Sequence, residues 1–292
     1  MQSRELIIGA SGLVGSALLQ AAQASDAVVL GTYCHTKVDG LVPLDLCDRT
    51  AVRKILEEFR PDIVYVPAAI VNAEQVERDP VGTKAVNVDA VEALIDLLQG
   101  SNVHLVYFSS DYVFDGLHPP YKEDDVPHPV NEYGRQKVIT ETLIRERRPT
   151  SLILRSGVVY GLEHQGKNFA MRVLRELRAG RTMSVAMDQS NNPTYAPDLA
   201  EVSRELAAKR VSGLFHAVGP ETLARFDFAR EICSVFELPT TLLVPVPSSE
   251  LRQGALRPKN VCLDTSALER IIGRKMLAPR EGLTAMKRIL PA

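Results

Sequence analysis

The 292-residue chain has no tryptophan, only four cysteines and only six histidines. Cys34, Cys47, Cys233 and Cys262 are far apart in sequence and form no C-x-x-C pair. That spacing excludes a paired-cysteine zinc or redox motif, and reduced, structural thiols are expected. The histidines do not cluster at metal-ligand spacing, so no metal site is expected. Neither sign of charge is in excess: 34 Lys and Arg against 36 Asp and Glu leave a formal charge of −2. Nothing there calls for a nucleic-acid surface, and no basic run would bind an acidic membrane. No stretch approaches the roughly 20 apolar residues of a membrane span. The N-terminal Met1-Gln2-Ser3-Arg4-Glu5 leads into too short an apolar run for a signal peptide, so a cytoplasmic location is expected.

What is present is core-forming material, 45% of the residues, in an alternating arrangement. Strands are expected at Leu6–Ile8, Ala27–Thr32, Asp62–Val66, His104–Ser109 and Thr150–Leu154. Helices are expected at Val14–Ala24, Arg49–Phe59, Val81–Leu98 and Glu132–Glu146. Strand-helix alternation implies parallel strands joined by right-handed crossovers. The nearly continuous apolar runs imply strands covered on both faces. The fold class expected is α/β, a Rossmann doubly wound parallel sheet over residues 1–160. Residues 161–292 read as a smaller, mainly substrate-binding C-terminal lobe, with some chain returning to the sheet. Its helices are expected at Asn168–Ala179, Asp198–Ala208 and Phe226–Phe236, with a loop at Asp188–Pro197.

Leu6-Ile7-Ile8 runs into Gly9-Ala10-Ser11-Gly12-Leu13-Val14-Gly15. Glycines Gly9, Gly12 and Gly15 permit a tight turn and a close approach of Ser11, Leu13 and Val14 to a pyrophosphate. The following helix N-terminus adds partial positive charge. At the end of the second strand, where NAD sites usually place an acid, stand His35, Thr36 and Lys37. A hydroxyl and a cation there favour a 2′-phosphate, hence NADPH, with NADH as the alternative. Asp45-Leu46 follows the next apolar stretch, and Asp45 is placed to accept from an adenine amino group or to serve as an ordinary loop aspartate.

Ser109-Ser110 ends a strand, and Tyr133 and Lys137 lie four apart on one helix face. A tyrosine titrates near 10 when unperturbed, and a neighbouring ammonium is expected to lower it. A serine hydroxyl beside it can polarise a carbonyl.

The ordered blocks Ser109-Ser110-Asp111-Tyr112-Val113-Phe114-Asp115-Gly116, Tyr133-Gly134, Leu154-Arg155, Val159-Tyr160-Gly161, Asp198-Leu199-Ala200 and Arg257-Pro258-Lys259-Asn260 span almost the whole chain. With them the chain resembles the extended short-chain dehydrogenase/reductases, in particular the dTDP-4-dehydrorhamnose reductase family. The resemblance implies reduction of a 4-keto nucleotide-sugar, with Ser110, Tyr133 and Lys137 as the catalytic trio. It implies Ala68, Ala69 and Ile70 along the cofactor, with Ser156 to Val158 on its nicotinamide side. It places Asp111, Tyr112, Val158, Asn168, Arg257 and Asn260 toward the substrate, a salt bridge and turn being the alternative for Arg257 and Asn260. Rhamnose-forming reductases usually carry a tryptophan near Val158, and this chain has none. The same blocks also resemble the regulatory beta subunit of methionine adenosyltransferase, which leaves a dinucleotide-binding regulator as the rival reading. An epimerase or dehydratase is weaker, since no glutamate follows Ser110-Asp111. The sequence leaves the oligomeric state open, with a homodimer as the candidate.

Overall fold

The computed structural model describes residues 2–163, 165–251 and 253–290. The first half builds β1 (Arg4–Ile7), α1 (Leu13–Gln23), β2 (Val28–Tyr33), β3 (Val42–Pro43), α2 (Arg49–Phe59), β4 (Ile63–Val66), α3 (Ala73–Arg78), α4 (Pro80–Lys84), α5 (Ala90–Leu97), β5 (His104–Ser110), α6 (Glu132–Arg147) and β6 (Leu152–Ser156). Next come β7 (Val159–Tyr160), α7 (Phe169–Arg178), β8 (Met183–Ala186), β9 (Ser190–Asn191), β10 (Thr194–Tyr195) and α8 (Ala196–Ala208). The chain ends with β11 (Gly213–His216), β12 (Leu223–Ala224), α9 (Arg225–Phe236), β13 (Leu243–Val246), β14 (Asn260–Val261), α10 (Ser266–Ile272) and α11 (Pro279–Ile289).

Seven strands form one sheet in the order β3-β2-β1-β4-β5-β6-β11, every neighbouring pair parallel. The order reverses at β1 and β4, which opens a crevice at their carboxyl ends. All residues of β4 and β5 are buried, because helices cover both faces. One face packs Leu18 of α1 and Leu199, Val202 and Leu206 of α8 against Ile7, Tyr65 and Val106. The other packs Val52 of α2, Leu94 of α5 and Ile144 of α6 against Leu6, Val64 and Leu105. A separate core joins α7, α9 and α11 through Val173, Leu174, Phe228, Ile232 and Leu283. Each such side chain, fully buried, is worth about 1.5–3 kcal/mol. Among the described residues no helix is long and apolar enough to cross a membrane.

The helix expected over Val81–Leu98 is not continuous. It starts at Pro80, capped by the Asp79 carboxylate on the Gly82 N–H at 2.9 Å, and a π turn at Ala85–Asp89 interrupts it. The cause is Asn87, which is buried. Its Oδ1 accepts from the Ile70 N–H at 2.8 Å, while Nδ2 donates to the Ile70 carbonyl at 3.1 Å and to Gln136 Oε1 at 2.9 Å. The extra residue of the π turn aims this amide inward. Apolar periodicity does not register a single inserted residue.

The turn after β1 depends on a close approach. A Cβ on Gly15 would sit 2.1 Å from the Gly9 carbonyl oxygen, whereas one on Gly12 would meet nothing nearer than 3.5 Å. Gly15→Ala is therefore expected to destabilise the protein by about 1–3 kcal/mol through overpacking. Gly12→Ala should cost no more than about 0.5–1 kcal/mol, as a change at an N-cap. Chemical denaturation of the two variants checks this; equal stability would refute the packing role assigned to Gly15.

Candidate active site

α6 carries the tyrosine and the lysine, and its first turn is fixed from both sides. Asn131 caps it, accepting from the Gly134 N–H at 2.8 Å, while its Nδ2 donates to the Leu256 carbonyl at 2.7 Å. Gly134 is required by proximity: a Cβ there would lie 2.1 Å from the Tyr112 carbonyl oxygen. The helix thus rests directly on the short 3-10 turn Asp111–Val113 that follows β5. Tyr133 stands edge-on to Tyr112, ring centroids 5.9 Å apart, with the Ser110 hydroxyl within hydrogen-bonding reach of its phenol. One helical turn on, Lys137 Nζ donates to the Phe108 carbonyl at 2.8 Å and the Tyr107 hydroxyl at 3.0 Å. It lies 5.7 Å from the Tyr133 ring centroid. The structure brings Ser110, Tyr133 and Lys137 together at the end of β5, all buried.

The electrostatics differ from the expectation that the ammonium lowers the phenol. Burial raises Tyr133 above the usual phenol range, and the Asp111 charge adds to this while the Ser110 hydroxyl opposes it. Burial also pushes Lys137 down to about 7, against the charge of Glu141. Desolvation penalises both charged forms and outweighs what the Ser110 hydroxyl and the Glu141 charge return. Glu141, one further turn along α6, is buried and paired with Arg155: Nη2 donates to Oε2 at 2.7 Å and Nε to Oε1 at 3.0 Å. Ser109 donates to the same carboxylate at 2.5 Å. Breaking such a buried pair typically costs about 3–5 kcal/mol.

The glycine-rich turn lies across the crevice. The Gly9 N–H bonds Thr32 Oγ1 at 3.2 Å and the Ala10 N–H bonds the Thr32 carbonyl at 2.7 Å. Gly12 starts α1 without a side-chain cap, so the first N–H groups from Leu13 and Val14 onward lack intrahelical partners, a cradle suited to phosphate. Ser11 is half-buried in the same turn. His35 and Lys37 are exposed beyond β2, and Thr36 Oγ1 accepts from Gln165 at 2.9 Å, a contact with the second half of the chain. Asp45 is exposed, with Oδ1 accepting from the Cys47 N–H at 2.9 Å, and the Leu46 side chain belongs to the core. Ala68, Ala69 and Ile70 form the half-buried segment after β4, held through Asn87.

The residues assigned to the substrate divide into two groups. Asp111 is buried beside the trio, its Oδ1 accepting from Ser110 Oγ at 3.1 Å and Oδ2 from Asn191 Nδ2 at 2.9 Å. Tyr112 reaches Arg257 and lies within the field of Arg225. Arg225 faces Arg257 and Arg172, and its guanidinium lies 4.8 Å from the Phe169 ring centroid. Val158 has φ +42°, strained for a β-branched residue. Asn168, by contrast, caps α7: Oδ1 accepts from the Met171 N–H at 3.3 Å and Nδ2 donates to the Gly161 carbonyl at 2.9 Å. That use leaves little of its amide for a sugar. Arg257 pairs with Glu74 at 2.8 Å, and Asn260 is exposed on β14 beside β9. Sequence reasoning missed Asn87, Glu141, Asn191, Arg172 and Arg225. Only Glu141, four residues after Lys137, carried a readable spacing. Among the described residues no group of three or more His, Cys, Asp or Glu could hold a metal ion.

The chain matches the RmlD substrate binding domain over residues 3–290. It is 34% identical over 280 residues to methionine adenosyltransferase 2 subunit beta of Bos taurus, covering 93% of this chain and 84% of that one. It is 32% identical to the probable low-salt glycan biosynthesis reductase Agl14 of Haloferax volcanii, covering 96% of each. The structure superposes on dTDP-4-dehydrorhamnose reductase of Bacillus anthracis in complex with NADP, with TM-score 0.91, 27% identity, and 99% and 100% of the two chains covered. With a parallel sheet, a glycine-rich turn at its crevice and a Ser-Tyr-Lys cluster at the end of β5, the chain belongs to the RmlD substrate binding domain family.

Proposed function

We propose that the protein reduces a 4-keto nucleotide-sugar with NADPH. The observation that carries this reading is the buried phenol of Tyr133 at the end of β5, with Ser110 beside it and Lys137 Nζ 5.7 Å from its ring centroid. A phenol that stays protonated at neutral pH is a proton donor rather than a base, which is what reduction of a carbonyl needs. NADPH supplies the hydride when bound. Tyr133 protonates the carbonyl oxygen, and Ser110 donates to it as negative charge develops. Lys137, anchored on Phe108 and Tyr107, sits one turn along the helix from the phenol and carries positive charge below about pH 7. The cradle at Leu13 and Val14 fits a pyrophosphate, and Arg172, Arg225 and Arg257 fit the diphosphate of a nucleotide-sugar. Val158 leaves the sugar face without an indole, so rhamnose precursors are one member of the substrate class rather than its definition.

A regulatory, dinucleotide-binding role is the second reading, favoured by the 34% identity to the beta subunit. NADPH consumption over a panel of 4-keto nucleotide-sugars separates the two. Wild type should turn over, and Tyr133→Phe should lose about 10²–10⁴-fold in rate while retaining NADPH affinity. Equal rates in the two proteins would refute the proton-donor role. No turnover with any sugar would favour the regulator.

Cofactor choice has its own test. His35 is exposed at the end of β2, where no carboxylate stands. His35→Asp should weaken NADPH binding relative to NADH by about tenfold, as expected of a 1–2 kcal/mol repulsion at a partly screened site. Fluorescence titration with both dinucleotides reads it, and an unchanged preference would show that the 2′-phosphate lies elsewhere.

A further inference from the structure

Ser110 has one proton to give and two lone pairs to fill. The Tyr112 N–H donates to its oxygen at 3.2 Å. Its own proton goes to Asp111 Oδ1 at 3.1 Å. In that arrangement no proton remains for a substrate carbonyl or for Tyr133. Asn191 Nδ2 occupies Oδ2 at 2.9 Å, and the Asp111 backbone N–H also reaches the carboxylate. Behind it a Cβ on Gly157 would lie 2.7 Å from the carboxylate, so backbone closes that side.

We propose that Asp111 is a positioning residue whose protonation turns the Ser110 hydroxyl from the carboxylate toward the substrate oxygen. As a neutral acid Asp111 donates to Ser110, filling its second lone pair and freeing the seryl proton. As a carboxylate it takes that proton and withholds it. The inference rests on the reductase reading for its catalytic consequence, but the coupling between the two side chains belongs to the protein alone. Burial supports it by raising Asp111 to about 6, against the hydrogen bonds from Asn191 and Ser110 and the positive charge of Arg225. The charged and titratable groups facing it are Arg225, Tyr112 and Tyr133. None carries a negative charge at neutral pH, so the carboxyl moves across the working pH range through burial.

Asparagine reproduces the neutral acid: Oδ1 can accept from Asn191 while Nδ2 donates to Ser110. The experiment is the ratio of kcat for Asp111→Asn to wild type across about pH 5 to 8. Groups common to both proteins, Lys137 included, cancel in the ratio. Above pH 6 the ratio should climb about tenfold per pH unit, following ionisation of the wild-type carboxyl. A ratio independent of pH, or a folded Asp111→Asn protein without turnover, overturns the proposal. A second measurement needs no substrate. The Asp111 side-chain carbon, assigned by its loss in Asp111→Asn, is titrated by ¹³C NMR in the protein without dinucleotide. A midpoint near 6 that rises in Ser110→Ala supports the coupling. A midpoint below about 4.5, or one that Ser110→Ala leaves unmoved, overturns it. If no keto-sugar is consumed by wild type, the functional reading fails while this titration still decides the coupling.

Discussion

The contact between the start of α6 and the turn after β5 is the constraint on which the site depends. Only a residue without a side chain lets the helix approach the Tyr112 carbonyl as Gly134 does. Once that approach is made, the 3.6-residue period aligns the rest. Tyr133 meets Ser110, Lys137 meets the Phe108 carbonyl, and Glu141 meets Ser109 and Arg155. A longer spacing at the first turn would move all three away from the strand end together. The Asn131 cap fixes where that period begins.

Burial then sets the protonation of what the contact has assembled. Tyr133 rises and Lys137 falls, because each charged form loses more solvation than its neighbours return. Asp111 rises for the same reason. The Glu141–Arg155 pair is buried as well, and it is held by bidentate hydrogen bonds with an added bond from Ser109. A carboxylate within two turns of Lys137 offsets part of the ammonium's desolvation. Pure burial would leave the lysine still less able to hold its charge.

The sheet was legible because its strands are apolar runs punctuated by turns, and the glycine turn because a helix follows it at once. Tyr133 and Lys137 were legible through their i, i+4 spacing. The π turn at Ala85–Asp89 was not, since it adds one residue to a helix whose apolar stripe continues on either side. Asn191 and Arg225 were not legible either. They reach the trio across the fold, from β9 and the start of α9, and no local pattern marks residues brought in by tertiary contact. The sign of the Tyr133 shift was also out of reach, because it depends on how much water the folded chain excludes. Asn168 shows the converse: a residue placed by resemblance on the substrate is engaged in holding a helix end.

Tertiary contacts tie the second half of the chain to the elements around the trio at three points. Asn131 holds the Leu256 carbonyl, Arg257 pairs with Glu74 of α3, and Asn191 bonds Asp111. Arg225 extends the third link, approaching Asn191 Oδ1 at 3.5 Å. An anion bound among Arg172, Arg225 and Arg257 therefore acts on the same hydrogen-bond chain that ends at Ser110. Compensating the charge of Arg225 removes one of the influences that hold Asp111 down. Occupation of the arginine cluster and protonation of Asp111 then favour each other, by the reciprocity that governs any two linked equilibria. In the proposed reductase, this chain of contacts would connect the distal charge of the substrate to the direction of the Ser110 hydroxyl.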